Sequence, residues 1–301
     1  MTTQVSIWQY QNLLPIKIDP KFQLSIQEGN TPIDKLNDIY FKREDKNPTG
    51  SNKDRGIAIQ LSHAYQKGYQ EAVITSTGNA AISACIYSQF IPNFKVNIFI
   101  SPKTAISKIN KLKSLSSNVY ISERPISAAH KYALTHNAIN LRPSKDPLGT
   151  IGYMTIAFEL AQQIKNIGNS SIFIPVSSAT MFCGIALGFN KLLIKKSITQ
   201  IPQLHAVQTT YSYTISKDFD QNFKPSSSSL AKSLTAKITS RKNKAIQLIK
   251  ESRGFGWVVN DQMISEADKL LSKNNIQTSY EGAACLAAYN LPFNWHFKID
   301  I

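Results

Sequence analysis

The chain has 301 residues, 42% of them hydrophobic, with 34 basic against 19 acidic side chains for a formal net charge of +15. That is enough apolar material for two α/β lobes or one large domain without disulfide staples. No apolar run nears the ~20 residues of a membrane span, and Met1-Thr2-Thr3-Gln4-Val5 lacks the basic-then-apolar pattern of an export signal, so a soluble, cytoplasmic protein is expected. The positive charge is dispersed, with short clusters only at Lys108, Lys111 and Lys113 and at Arg241, Lys242 and Lys244; no aromatic residues interleave there, which argues against nucleic acid and leaves solvated charge or a phosphorylated small substrate.

In chain order, apolar residues after Gly56 recur at near-helical spacing as far as Lys67-Gly68. Strand and helix then alternate: strands at 72–75, 96–100, 119–121 and 139–141, and helices at 80–90, 105–115 and near 127–134. Gly149-Thr150 opens a helix through 164. A strand at 172–176, a helix at 181–193 and a strand at 204–207 follow. The stretch 212–240, with serines at 226–229, reads as a surface excursion because polar segments bury little apolar area. After it come a helix from 245, a strand at 257–259, and helices at 264–271 and 281–289. Such alternation predicts an α/β fold of doubly wound, mostly parallel sheets.

Three stretches carry candidate chemistry. The first is Asn47-Pro48-Thr49-Gly50-Ser51-Asn52-Lys53-Asp54-Arg55-Gly56, a lysine among turn residues at the mouth of a helix. Ser51 is a capping type, and Asp54 and Arg55 supply charges able to fix the loop. A lysine there is ordinarily a solvated charge, but one restrained in a partly dry site can lose its proton and attack a carbonyl. The second is Thr75-Ser76-Thr77-Gly78-Asn79-Ala80-Ala81, between a strand and a helix, where backbone N–H groups and hydroxyls suit a carboxylate. Asn79 there is either a helix N-cap or a partner for a ring hydroxyl. The third is Pro175 through Gly184, in which Ser177, Ser178, Ala179 and Thr180 connect a strand to a helix, a geometry that cradles phosphate. Cys85, Cys183 and Cys285 have no metal-like spacing and are expected to be reduced. The five histidines show no ligand spacing either, so no catalytic metal is predicted.

Together these stretches resemble the threonine synthases, within the fold type II pyridoxal-phosphate enzymes that also include threonine dehydratase and cysteine synthase. The resemblance also runs through Ser6-Ile7-Trp8-Gln9-Tyr10, Leu13-Leu14-Pro15, Glu28-Gly29-Asn30-Thr31-Pro32, Phe41-Lys42-Arg43-Glu44-Asp45, Thr155-Ile156-Ala157-Phe158-Glu159 and Glu281-Gly282-Ala283-Ala284. It implies pyridoxal 5'-phosphate as cofactor, joined to Lys53 as a Schiff base. It further implies that Asn79 bonds the ring's 3-oxygen, that Ser177 to Thr180 hold the cofactor phosphate, and that Ser76, Thr77 and Gly78 meet the substrate carboxylate. Arg142 and Lys145 are candidate ligands of a substrate phosphate. The implied reaction forms threonine from O-phospho-L-homoserine, with a threonine or serine dehydratase as the alternative and a catalytically impaired binding protein as another. A homodimer is what the family implies. The lobes are expected as 1–55 with 150–301, and 56–149 inserted between them.

Three positions depart from the family. An aromatic residue is usual where Asn52 stands, and the phosphate loop is usually Gly-rich, so here hydroxyls are expected to substitute. No serine or threonine follows Ser279, although the family places a Ser, Thr or Cys beyond the helix at 281–289 to meet the pyridine nitrogen. Cys285 lies inside that helix.

Overall fold

A computed structural model describes residues 6–116, 118–142 and 146–291. The chain divides into two compact units, one of Met1–Asn169 with Ser178–Ile201, the other of Ser170–Ser177 with Pro202–Ile301.

The first unit opens with a 3-10 turn, Ile7–Leu13, which Ser6 caps by accepting from the Trp8 N–H at 3.3 Å. Strands β1 (Ile33–Leu36) and β2 (Ile39–Lys42) form an antiparallel hairpin. Helix α1 (Lys53–Gln66) follows, then β3 (Glu71–Ile74), α2 (Asn79–Ser88), β4 (Lys95–Ile100), α3 (Ile106–Leu115), β5 (Val119–Ile121), α4 (Pro125–Thr135) and β6 (Ile139–Asn140). The four strands make a parallel sheet in the order β5-β4-β3-β6. Positions 96–100 of β4 are all buried, the continuous run expected where helices cover both faces rather than one. Val73 and Phe99 pack with Ala129 of α4 and Ala138.

The single helix expected from Gly149 to 164 is two: α5 (Leu148–Ile151) and α6 (Met154–Gln163). Gly152 lies between them, where an added Cβ would stand 1.9 Å from the Arg55 carbonyl oxygen. The N–H groups of Thr155 and Ile156 reach back three residues, to Gly152 and Tyr153, as in a tightened turn. Helix α7 (Thr180–Ile194) makes the same kind of approach. A Cβ at Gly184 would meet the Thr150 carbonyl oxygen at 2.4 Å, and one at Gly188 the Met154 oxygen at 2.6 Å. Glycine at these points lets the backbones of α1, α5, α6 and α7 nearly touch.

The second unit is built on β7 (Ser171–Pro175), β8 (Gln203–Thr209) and β9 (Gly256–Val259), parallel and in that order. Its helices are α8 (Lys242–Glu251), α9 (Asp261–Lys273) and α10 (Tyr280–Tyr289), with α10 lying along all three strands and beside α9. The stretch 212–240 is more than a surface excursion. Serines 226–228 are exposed, but Ala231 and Leu234 are buried. Asp261 accepts from the Leu230 N–H at 2.8 Å and the Ser229 hydroxyl at 2.9 Å, and Glu281 accepts from the Ser233 N–H at 2.9 Å. Its Ser-rich composition hides two apolar anchors and two backbone N–H groups, of Leu230 and Ser233, that carboxylates at the starts of α9 and α10 satisfy.

Among the described residues, no helix is long and apolar enough to cross a membrane.

Candidate functional site

Lys53 is the first residue of α1 and half-buried. Gly50, at φ +82°, turns the chain into the helix, and the Lys53 N–H donates to Ser51 Oγ at 3.3 Å. Asp54 is buried and locks this turn. Its carboxylate accepts from the Thr49 N–H at 2.8 Å, from the Thr49 hydroxyl, and from Ser83 Oγ of α2 at 2.7 Å. Burial raises the Asp54 carboxyl above its ordinary range, against those hydrogen bonds, which lower it. Lys53 Nζ donates to Asn52 Oδ1 at 2.6 Å, and Asn52 Nδ2 in turn donates to Met181 Sδ of α7 at 2.8 Å.

Those two links have a geometric consequence. Asp54 ties the start of α1 to the middle of α2, and Asn52 ties it to the first turn of α7, so α1 and α7 begin near one another within one unit. Helix N-termini carry partial positive charge and outward-pointing N–H groups, so their grouping suits a multiply anionic ligand.

Most of the predicted side chains belong to this same unit. Ser76, Thr77 and Gly78 form the turn from β3 into α2, with the Gly78 N–H donating to Ser76 Oγ at 3.3 Å. Gly78, not Asn79, is the N-cap of α2. Asn79 is exposed and, among the described residues, its amide takes no hydrogen bond, so capping does not account for it. Arg142 follows β6, which pairs in parallel with β3, so Arg142 and the 75–79 turn share the carboxyl edge of the sheet. Arg142 is half-buried, its N–H donating to Asn140 Oδ1 at 3.0 Å. Lys145 lies outside the described residues.

Of the third stretch, Ser178, Ala179 and Thr180 belong to the first unit and Ser177 to the second. Ala179 caps α7 in the left-handed conformation, φ 61°, ψ 11°, a place where glycine is usual. Ser178 Oγ and Thr180 Oγ1 stand 3.0 Å apart. A left-handed residue leading into a helix turns successive N–H groups inward as an anion nest, and the hydroxyls add donors to it. In the second unit, Ser177 Oγ accepts from the Ala236 N–H at 3.3 Å. A hydroxyl that accepts in this way keeps its own proton to donate.

Behind Lys53 lies a cluster for which spacing gave no signal. Arg55 is fully buried. Its guanidinium grips Glu44 through Nε and Nη2, both at 2.7 Å, and Glu159 through Nη1 at 2.6 Å and Nη2 at 2.8 Å, with Nη1 also reaching Thr155 Oγ1 at 2.8 Å. Lys42 Nζ adds a 2.6 Å bond to Glu159. Burial works to raise the Glu159 carboxyl, but hydrogen bonds and charge from Arg55 and Lys42 outweigh it and hold it below the usual range. Glu44 and Glu159 are over a hundred residues apart in sequence, so only folding pairs them with Arg55.

The residues present fit pyridoxal 5'-phosphate. One unit offers an amine at Lys53, a nest with two hydroxyls at Ser178–Thr180, an exposed amide at Asn79, and the neighbouring N-termini of α1 and α7 for anions. Cys285 does not stand out as a ring-nitrogen partner: its thiol, pushed up by burial, turns back onto its own helix toward the Glu281 carbonyl at 3.6 Å. Residues 292–301, where the family's partner is expected, lie outside the described residues.

Residues 24–295 match the family model described as pyridoxal-phosphate dependent enzyme. Among curated proteins, the chain is 27% identical over 287 residues to a threonine synthase of Methanocaldococcus jannaschii, covering 90% of this chain and 71% of that one. It is 28% identical to a threonine synthase of Methanosarcina acetivorans, covering 89% and 70%. A chloroplastic biosynthetic threonine dehydratase 2 of Solanum lycopersicum is 28% identical over 67% of this chain and 35% of its own length. Among solved structures, the processed threonine deaminase isoform 2 of Solanum lycopersicum superposes with a TM-score of 0.72 at 20% identity, covering 94% of this chain and 78% of that one. Maize serine racemase gives 0.71 at 20% identity, over 86% and 80%. These likenesses establish the fold.

Proposed function

The chain belongs to the pyridoxal-phosphate-dependent enzymes and is a lyase whose cofactor is pyridoxal 5'-phosphate, and from that premise we propose that it acts as a threonine synthase, converting O-phospho-L-homoserine and water to L-threonine and phosphate. The observation that carries this reading is the coverage of the relatives. In sequence, the threonine synthases of Methanocaldococcus jannaschii and Methanosarcina acetivorans match about nine-tenths of the chain, while the threonine dehydratase and other proteins named threonine synthase match two-thirds.

In this reading Lys53 attaches the cofactor through Nζ, and its amine, when released, moves protons at the substrate's Cα and Cβ. Asn79 bonds the ring's 3-oxygen. Ser177, Ser178, Ala179 and Thr180 hold the cofactor phosphate through N–H and O–H donors. Ser76, Thr77 and Gly78 receive the substrate carboxylate at the start of α2, and Arg142, with Lys145, serves the substrate phosphate. When bound, the cofactor supplies a sink for the electrons released at Cα. Phosphate then leaves Cγ and water adds at Cβ.

The test uses the full chain loaded with pyridoxal phosphate. Phosphate release from O-phospho-L-homoserine with threonine formed in equal amount is the expected result, lost in Lys53→Ala. Formation of a 2-oxoacid from threonine, with no phosphate released, would replace this reading by a dehydratase.

A further inference from the structure

The Asn52 side chain stands between the Lys53 amine and helix α7. Its Oδ1 accepts from Lys53 Nζ at 2.6 Å, and its Nδ2 donates to Met181 Sδ at 2.8 Å. The second bond fixes the first: with its NH2 end engaged by a residue in the first turn of α7, the amide cannot rotate without losing a partner, so the carbonyl oxygen faces the amine. Asn52 and Lys53 are both half-buried, so water competes less for this hydrogen bond than at an exposed site.

We propose that Asn52 is a positioning residue for Lys53, holding its amine as a hydrogen-bond donor whenever the amine is not joined to the cofactor and so fixing where the proton carrier waits. The proposal rests on the reading of Lys53 as the cofactor-attaching residue. Two consequences of opposite sign follow. A carbonyl that accepts from an amine favours the donor-rich, protonated form, so it slows attack on an aldehyde. During turnover the same bond keeps the released amine from swinging away, which helps the proton steps. An aromatic or aliphatic side chain at this position offers neither effect.

The experiment compares the wild-type chain with Asn52→Leu, Asn52→Asp and Met181→Leu, each stripped of cofactor and mixed with pyridoxal phosphate. The capture rate is followed by visible absorbance, and the product is then reduced with borohydride and mapped. Asn52→Leu is expected to capture the aldehyde about tenfold faster, the scale of one hydrogen bond to a charged group. Its kcat should fall about tenfold with KM within about twofold, a loss confined to the chemical steps. Met181→Leu is expected to show the same changes at smaller size. Asn52→Asp, which keeps an oxygen acceptor, should capture no faster than wild type, and this separates the hydrogen bond from general loosening of the loop. Capture by Asn52→Leu at the wild-type rate or slower would overturn the proposal. Absence of label on Lys53 in the wild-type chain would instead overturn the reading of Lys53 itself.

Discussion

Replacing Arg55 by methionine keeps a long apolar stem but removes the guanidinium from between two buried carboxylates. In the native unit all of its N–H groups are engaged, and the partners Glu44, Glu159 and Lys42 bring the cluster to formal neutrality. After the substitution the cluster carries one net negative charge in a site where Glu159 is 1% exposed. Removing one partner of a buried pair typically costs about 3–5 kcal/mol, because the remaining charge loses its compensation while staying desolvated. For a chain of this size that is a fall in Tm of roughly 10 °C. The loss should also depend on pH. Glu159 is held below the ordinary carboxylate range, so the stability it contributes is present above that range and disappears as pH falls. Arg55→Met should therefore be most damaging near neutrality and less damaging in acid, where the Glu159 carboxyl takes up a proton. Urea unfolding of the wild type, Arg55→Met and the double variant Arg55→Met/Glu159→Met measures this, since the double restores formal neutrality through Lys42 and Glu44. A loss below about 1 kcal/mol at pH 7, or a double variant no more stable than the single, would refute the reasoning.

Three further outcomes are expected. Glu28 is fully buried, with one carboxylate oxygen accepting from Ser25 Oγ, the Ile26 N–H and Tyr87 OH at 3.0, 3.0 and 2.7 Å, and burial raises its carboxyl above the ordinary value. A raised carboxyl contributes stability at low pH that is lost as pH rises, so Glu28→Gln should flatten the fall of unfolding free energy as pH rises above the ordinary carboxylate range; an unchanged slope counts against it. His205 stacks on Phe173 at 4.6 Å and accepts from Trp257 Nε1 at 3.2 Å, and burial lowers it from 6.5 to about 4. It contributes stability above pH 6.5 that should fall by about 3 kcal/mol as pH drops toward 4, and His205→Phe should lack that step in acid titrations of unfolding. Leu234, 3% exposed, anchors the Ser-rich stretch, so Leu234→Ala should cost about 2–3 kcal/mol and speed proteolysis within 226–237. Unchanged cleavage there would mean that the carboxylates of Asp261 and Glu281 suffice to hold the segment.

Much of the architecture is visible in the sequence because local physics dictates it. The apolar runs 72–75 and 96–100 can only be strands covered on both faces, and the observed β3 and β4 agree to within a residue. The helix expected across 149–164 is divided at Gly152 and Tyr153 by a tightened turn, at a point where only glycine fits against the Arg55 carbonyl, nearly a hundred residues earlier. The anchoring of 212–240 does not show in composition, which counts serines but not the carboxylates of Asp261 and Glu281 that accept from Ser229, Leu230 and Ser233. Asn79 reads in sequence as a helix cap, yet the cap is Gly78, which leaves the amide exposed at the site.

The sequence by itself determined the fold class and the three short stretches of turn residues, hydroxyls and lysine on which the candidate site is built, since hydrophobic period and turn chemistry act over a few residues. The tertiary structure alone decided that the start of α1 meets α2 through Asp54–Ser83 and the first turn of α7 through Asn52–Met181, and that Arg55 is clamped by Glu44 and Glu159. Those pairings join residues from about ten to well over a hundred positions apart, and no local propensity encodes them. They arise because buried charges and amides must find partners when water is excluded, and the packing of the unit determines which partners are within reach.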